Sequence, residues 1–437
     1  MSMFGDIQIV YPTNFCQKYR YMLKLLMVRL MKFIENIDEK EYVKFEENHP
    51  KAHFLQSYSW GQFAIVGKKT KPRYVGMKDN KGNLLCAALF LEKQLPFGFK
   101  YIYSPRGFII DFNDKKLLKE FTSSLKDYMK KNKIIYIKMD PDIKYQTIDE
   151  YANKVDGDDN YAIYNNLIKL GYIHKGFNKL YEGNQPRYTF RINLKKKTQE
   201  DLDKLFNKSF MKSVKRSYNY DLEISNDECV DEFYKLIQFN SEKDGFSSYS
   251  KEYYKEFTKQ FSKYKNVKYF NAYIYPKKLT EKLDADLETL KKRLETDKKH
   301  IADINCQIDR IKKEQEIFNK LKEDKVLVCS LICVYTKKKA WSLYIGNNDL
   351  GNFTFAVSRC YYDSIIDALN NKYEFYDLFG TVGDPKTSYK NLAKLHDFKR
   401  KFGDEYIEFI GEFDLVGNKF LYKLLPILLK IYRKIRR

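Results

Sequence analysis

Two stretches of this chain run through the same order of periodicities, and that duplication limits the possible folds more than any other feature. In the first, "RYVGMKD", the turn "NKG" and "NLLCAALFLEK" read as a hairpin. A third strand "KYIYSPRGFII", the amphipathic helix "KKLLKEFTSSLKDYMKKN" and the strand "IIYIKMDP" follow. In the second, strands "VKYFNAYIY", "VLVCSLICVYT" and "AWSLYIGN" precede the helix "FAVSRCYYDSIIDALNN" and the strand "YEFYDLFG". From Tyr101 to Ile134 is 33 residues and from Trp341 to Tyr373 is 32, each interval enclosing strand, crossover helix and strand. Two copies of one mixed α/β unit are the economical reading.

The second copy is interrupted between its first two strands. There, Leu283, Leu287, Leu290, Leu294, Ile301, Ile304, Ile308, Ile311, Phe318 and Leu321 keep a three-four alternation that reads as a coiled-coil seam. As one rod this insertion would extend roughly 70 Å at 1.5 Å per residue, carrying apart two strands whose ends must meet. It is therefore predicted to fold back as an antiparallel helical hairpin, turning near "ETDKKH", where Asp297 breaks the seam. Such an arm does no chemistry itself; it suits either holding a large partner such as RNA or simple spacing. The expected layout is a basic apolar extension at 1–30, a first unit at 31–188, a second at 189–421 with the arm at 278–325, and a basic tail at 422–437.

A chain of 437 residues exceeds one comfortable core, and 43% hydrophobic residues let each unit bury its own. The 80 Lys and Arg against 58 Asp and Glu leave a formal +22. That balance suits nucleic acid, anionic lipid or a phosphorylated substrate, or else is only a Lys-rich solvated surface. The seven Cys form no CxxC pair and the five His no HExxH motif, so no metal site is expected. Cys329 and Cys333, four apart on a β-branched run, are expected as small core residues on one face of a strand. Unpaired thiols fit a reducing cytosolic compartment. No run of 18 apolar residues exists. The N-terminal "FCQKYRYMLKLLMVRLMKF" reads either as an interfacial helix or as sequence upstream of an ordinary beginning at Met31. From Asn418 onward the chain holds seven Lys or Arg and no acid, the pattern of a segment resting on anionic headgroups or of a packed helix with a basic end.

Near that end, the five rings of Phe398, Phe402, Tyr406, Phe409 and Phe413 surround the triplet Lys399-Arg400-Lys401 in sequence. Cations seated in apolar surroundings are costly unless an anion meets them, and the plain alternative is a surface basic turn between core aromatics. Together with "HFLQSYSWGQF", "YSPRGFIIDF", "YIKMDPDI", "QPRYTFRINL" and "YDLFGTVGD", the segments "FKRKFG" and "YIEFIGEFDL" occur in an order that resembles the Fem aminoacyltransferases, which build peptidoglycan interpeptide bridges. The likeness runs from about Met31 to about Leu421. It implies two GNAT-like domains, aminoacyl-tRNA as donor and no separate cofactor. The implied acceptor is a muropeptide precursor, lipid-linked (lipid II) or nucleotide-linked, met in the cytoplasm at or near the inner membrane leaflet.

An aminoacyl ester is already activated, so no covalent acyl-enzyme is required. The protein must align the reactants, take a proton from the attacking ammonium and put positive charge where the oxyanion develops. By resemblance, Lys399 with Phe398 belongs at the acyl-transfer centre, and Asp111 holds or deprotonates the acceptor amine; the plain reading of Asp111 is a turn cap. Arg106 and Gly107 shape that turn, and Tyr344 orients the acceptor or is a core tyrosine. Relatives carry a Lys four residues after the Trp of "QSYSW" (Trp60), where it contacts acceptor phosphate; here that position is Ala64, leaving Lys68 or Lys69 to substitute. The segment "MKSVKRSYNYD" keeps Lys215 and Arg216 for acceptor binding but lacks the family's leading Arg and its Gly. Two rival readings stand beside this one. An acyl-CoA N-acyltransferase would share the fold, but neither crossover helix follows the pyrophosphate-cradling turn such enzymes use. A non-catalytic RNA-binding or membrane-surface protein would leave the repeated unit and "FKRKFG" unexplained.

Overall fold

The computed structural model describes residues 31–435, so the expected extension at 1–30 lies outside the described residues. The chain forms two mixed sheets with helices packed on them. The first sheet holds β1 (Lys32–Ile34), β2 (Lys71–Lys78), β3 (Leu84–Gln94), β4 (Lys100–Ser104), β5 (Ile134–Met139) and β7 (Tyr172–His174). The second holds β6 (Lys144–Gln146), β8 (Tyr188–Asn193), β9 (Glu223–Ser225), β10 (Val267–Ile274), β11 (Val326–Tyr335), β12 (Lys339–Asn347), β13 (Phe375–Asp377) and β14 (Glu405–Phe409).

The predicted duplication is visible in the pairing. β2, β3 and β4 run antiparallel and β4 then pairs parallel with β5; β10, β11 and β12 run antiparallel and β12 pairs parallel with β13. Each parallel step is made by a crossover helix, Lys115–Lys131 in the first unit and Ala356–Asn370 in the second. The first of these starts where the Asp114 side chain accepts from the Leu117 amide, and it ends with Lys130 and Lys131, the charge that the dipole favours at a C-terminus. Its stripe of Leu117, Leu118, Phe121, Leu125 and Tyr128 is buried on the sheet.

The expected division at residue 188 is crossed in both directions. β15 (Phe413–Val416) pairs with β5 and β7 inside the first sheet, and β6 pairs with β14 at the edge of the second. Only three residues separate β14 from β15, and Gly411 among them sits at φ +95°, a conformation that lets the chain leave one sheet and enter the other at once. The third strand also stops earlier than its apolar run suggests. It ends at Ser104 because Pro105 has no N–H to donate and Arg106 turns the backbone to φ +52°.

The arm folds as predicted, with helices Pro276–Thr296 and Ile301–Phe318 joined by a turn in which the Asp297 carboxylate accepts from His300 and Arg293. Leu279, Leu283, Ile304, Ile308, Ile311 and Phe318 are buried in its seam, whereas Ile301 at the tip is exposed. Cys329 and Cys333 are buried in the core of the second unit.

Where the two sheets meet, Arg191 on β8 bridges two acids: Nε lies 2.7 Å from Asp377 and the guanidinium reaches Asp142 at 2.6 Å. Burial alone would push the Asp142 carboxyl up, but Arg191, with His53 and Lys339 adding to it, holds it well below the usual carboxylate range. Replacing Arg191 with Leu strands both carboxylates. The expected loss is about 3–5 kcal/mol of unfolding free energy, read from urea melts against wild type.

Candidate active site

A cleft lined by residues of both units is assembled from short helices and strand ends. The helix Tyr58–Gly67 begins where the Ser57 hydroxyl accepts from the Trp60 amide at 3.0 Å, and it packs through Phe63 on Tyr253 and Phe257 of the helix Lys251–Ser262. Lys68, which follows Gly67, extends over the stacked rings of Tyr249 and Tyr253, its Nζ 4.3 and 4.9 Å from their centroids, and donates to the Tyr249 hydroxyl at 3.1 Å. The Tyr253 and Tyr344 hydroxyls are 2.9 Å apart, and burial pushes both phenols up. These groups face a cleft of about 370 Å³ whose lining also includes Trp60, Lys93, Tyr103, Gln185 and Phe379. Among the described residues, two lysines and no carboxylate line it, a chemistry that suits an anionic ligand carrying an apolar or ring surface.

Behind this wall, Tyr103 on β4 donates to Asp140 at 2.8 Å, and the Arg106 amide donates to the other carboxylate oxygen at 2.7 Å. Burial pushes the Asp140 carboxyl up to about 6, against the pull of Arg106. The Arg106 guanidinium crosses to the second unit, donating to the Pro186 carbonyl at 2.6 Å and lying 4.0 Å over the Phe409 ring. A side chain at Gly107 would meet Ser104 Oγ at 2.3 Å and Gln56 Nε2 at 2.9 Å, which is why this turn needs glycine.

The FemAB family model matches residues 37–430, nearly the whole described chain. The chain belongs to the FemAB family. It is 27% identical over 433 residues to the aminoacyltransferase FemA of Staphylococcus aureus strain MW2, covering 93% of this chain and all of that protein, and equally similar to the FemA of strain MRSA252. The crystal structure of FemX superposes with a TM-score of 0.75 at 22% identity, over 90% of this chain and 99% of that one, and so shares its fold.

Within this FemAB chain the expected site residues divide. Trp60, Lys68 and Tyr344 line the cleft together, and Arg106 supports it from behind. Of the two candidate substitutes at Ala64, Lys68 is the one in the cleft. Lys215 and Arg216 are elsewhere: on the helix Lys208–Ser217 they border an open groove of about 650 Å³ with Lys204, Lys208 and Lys212, near the root of the arm, where Arg216 stacks 4.5 Å over Phe355. Asp111 is exposed, its carboxylate accepting from the Asn113 amide at 2.9 Å in the turn before the crossover helix. The turn-cap role accounts for that geometry.

Lys399 does not line the cleft. It is buried, and its Nζ donates to the carbonyl oxygens of Phe379 and of Gly380, the latter at 2.8 Å. The neighbouring rings are core: Phe398 packs on Tyr361 and Phe402, Phe402 stacks 4.5 Å from Phe210, and Tyr406 stacks 4.6 Å from Phe190. The anion expected to meet the triplet is thus replaced, for Lys399, by two backbone carbonyls. Because Phe379 lines the cleft, Lys399 acts on the site by holding the turn beneath it.

The cleft residues that sequence reading passed over are Lys93, Tyr103, Gln185, Tyr249 and Tyr253, with Asp140 behind them. Asp140 lay inside the quoted "YIKMDPDI", and the four-residue spacing of Tyr249 and Tyr253 around the helix-capping Ser250 was a readable signal for stacked rings.

Burial pulls the Lys399 amine down to about 7, with Asp377 pulling it back up. A neutral amine still has two hydrogens for its two carbonyls, so the clamp survives deprotonation. In the fold this group therefore binds fewer protons than in the unfolded chain between about 7 and about 10.4, and its contribution to stability rises with pH across that window and is fully lost once pH has fallen through about 7. Lys399→Met should make stability rise less steeply with pH in melts run from pH 6 to 10, when compared with wild type; the part that remains includes Lys339, which burial pulls down to about 8.

Proposed function

We propose that this protein transfers an aminoacyl group from aminoacyl-tRNA to the stem-peptide amine of a peptidoglycan precursor, with lipid II as the acceptor. The observation that carries the reading is the carboxylate-free cleft between the two sheets, where Lys68 and Lys93 offer charge to acceptor phosphate and the Tyr249, Tyr253 and Tyr344 rings offer contact surface. Membership of the FemAB family and similarity to proteins called aminoacyltransferase FemA support aminoacyl transfer as the reaction class.

The reaction needs no nucleophile from the chain. The acceptor amine, freed of a proton, attacks the ester carbonyl; a C–N bond forms, and the bond to the ribose oxygen breaks. The protein contributes alignment in a walled cleft and cationic side chains near the phosphates. No separate cofactor enters this scheme. The basic groove along Lys204, Lys208, Lys212, Lys215 and Arg216 lies apart from the cleft and fits the phosphate backbone of the tRNA rather than the acceptor. No helix among the described residues is long and apolar enough to cross a membrane. The helix Lys419–Ile435 starts with Phe420 exposed and belongs to the segment with seven cations and no acid, which suits peripheral contact with an anionic leaflet where lipid II is held.

The direct test mixes the purified protein with tRNA charged with labelled glycine, alanine or serine and with lipid II in micelles. Label entering the precursor supports the proposal; binding of both without transfer overturns it. Lys68→Met should raise the acceptor KM roughly tenfold, equivalent to about 1.4 kcal/mol, with the donor KM unchanged. A Lys208→Glu, Lys212→Glu, Lys215→Glu variant should bind tRNA more weakly, and the dependence of log Kd on log salt should flatten by about 0.9 for each phosphate no longer neutralised.

A further inference from the structure

The acceptor amine arrives as an ammonium, and it must lose a proton before it can attack. Among the described residues no carboxylate lines the cleft, and Asp111, the acid expected from sequence, is an exposed turn cap. A phenol–carboxylate pair does reach the wall of the cleft. Tyr103 is a lining residue whose hydroxyl donates to Asp140 Oδ2 at 2.8 Å, and Gln185 lines the cleft with it. Asp140 is 3% exposed and is fixed from its other oxygen by the Arg106 amide at 2.7 Å. Arg106 is in turn held across the interface by Pro186 and Phe409, so both halves of the molecule determine where this carboxylate sits.

Resting on the acyl-transfer reading above, we propose that Tyr103 and Asp140 form the proton relay of the acceptor site: Tyr103 takes a proton from the substrate ammonium as it passes its own to Asp140. The phenol is the group that touches the substrate, and Asp140 acts through it. A phenol alone is too weak a base near neutral pH, because its conjugate acid holds the proton far more loosely than an ammonium does. A buried carboxylate that receives the phenolic proton in the same step removes that obstacle, since no phenolate has to accumulate. Burial raises the proton affinity of Asp140 towards the operating range of a general base.

Protons balance over the turnover. The ammonium nitrogen keeps one hydrogen as the amide N–H and gives up two. The first passes through Tyr103 to Asp140 and returns through Tyr103 to the ribose oxygen as the ester C–O bond breaks. The second leaves the tetrahedral intermediate to water. The enzyme ends with Tyr103 protonated and Asp140 ionised, as it began.

The charged and titratable groups facing Asp140 are Arg106, Glu412 and Tyr103, and Glu412 is itself paired with Lys138 at 3.1 Å. The relay needs Asp140 ionised. In wild type, kcat/KM for the acceptor should therefore fall about tenfold per pH unit below about 6.

The test uses the full chain, charged tRNA and lipid II, with kcat and KM measured between pH 5 and 8.5. Tyr103→Phe keeps the ring and should lower kcat by roughly 100-fold or more with little change in acceptor KM. Asp140→Asn keeps the shape of the side chain and one acceptor oxygen for the Arg106 amide, while its NH2 group replaces the oxygen that accepts from Tyr103; it should cost a similar factor and remove the acid limb near pH 6, a change that a packing defect would not produce. Melting midpoints of both variants report whether they fold. If a folded Tyr103→Phe turns over within about twofold of wild type, or if folded Asp140→Asn keeps the same acid limb, the relay is overturned while the acyl-transfer reading stands. If wild type transfers no label, both fall together.

Discussion

Arg191 ties the junction of the two sheets together. It stands on β8, the strand between β13 and β14 in the second sheet, and it answers two carboxylates at once, Asp142 from the loop after β5 and Asp377 at the end of β13. Asp377 passes the constraint on: it accepts from Thr189 at 2.6 Å and from the Phe379 amide at 2.8 Å, while Lys399 holds the Phe379 and Gly380 carbonyls. The turn that presents Phe379 to the cleft is therefore pinned by charge from both sides. Charges this deeply buried are tolerated because each is matched, and they set geometry more than they add stability.

The same junction explains how the cleft becomes one site from two units. Arg106 reaches from the first unit to Pro186 and Phe409, and Trp341 of the second lies fully buried against Phe54 and His53 of the first. With β15 returning to the first sheet after only three residues, the units share strands as well as side chains. Large relative motion of the two sheets would have to break a ladder, so the cleft is largely preformed. Preformed walls suit a reaction whose ester is already activated, because alignment is then the main contribution left for the protein.

Charge is divided between two surfaces. The cleft brings Lys68 and Lys93 together with rings, whereas the helix Lys208–Ser217 lines a more open, five-cation groove near the arm. An excess of 22 positive charges over the whole chain does not by itself distinguish these. A small enclosed cleft favours a compact phosphorylated group, and an open groove favours an extended polyanion.

The repeated strand–helix–strand spacing, the helical hairpin and the buried thiols were legible because periodicity, turn residues and seam spacing act over a few residues at a time. The return of β15 to the first sheet was not legible, since its apolar alternation would suit an edge of either sheet, and only the short link at Gly411 and the available edges choose. Sequence reading singled out Trp60, Lys68, Tyr344 and Arg106, which the fold gathers in one region, yet it could not say that Lys399 faces two carbonyls or that Asp111 faces solvent. Nor could it say that Asp140 stands behind Tyr103. By itself the amino-acid order determined which elements form and which chemical groups the chain owns. Which of those groups share a cleft, and which lysine lines it rather than holding a backbone oxygen, was decided only when residues hundreds of positions apart were packed together, because burial and partner distance set the behaviour of a charge and neither is a local property.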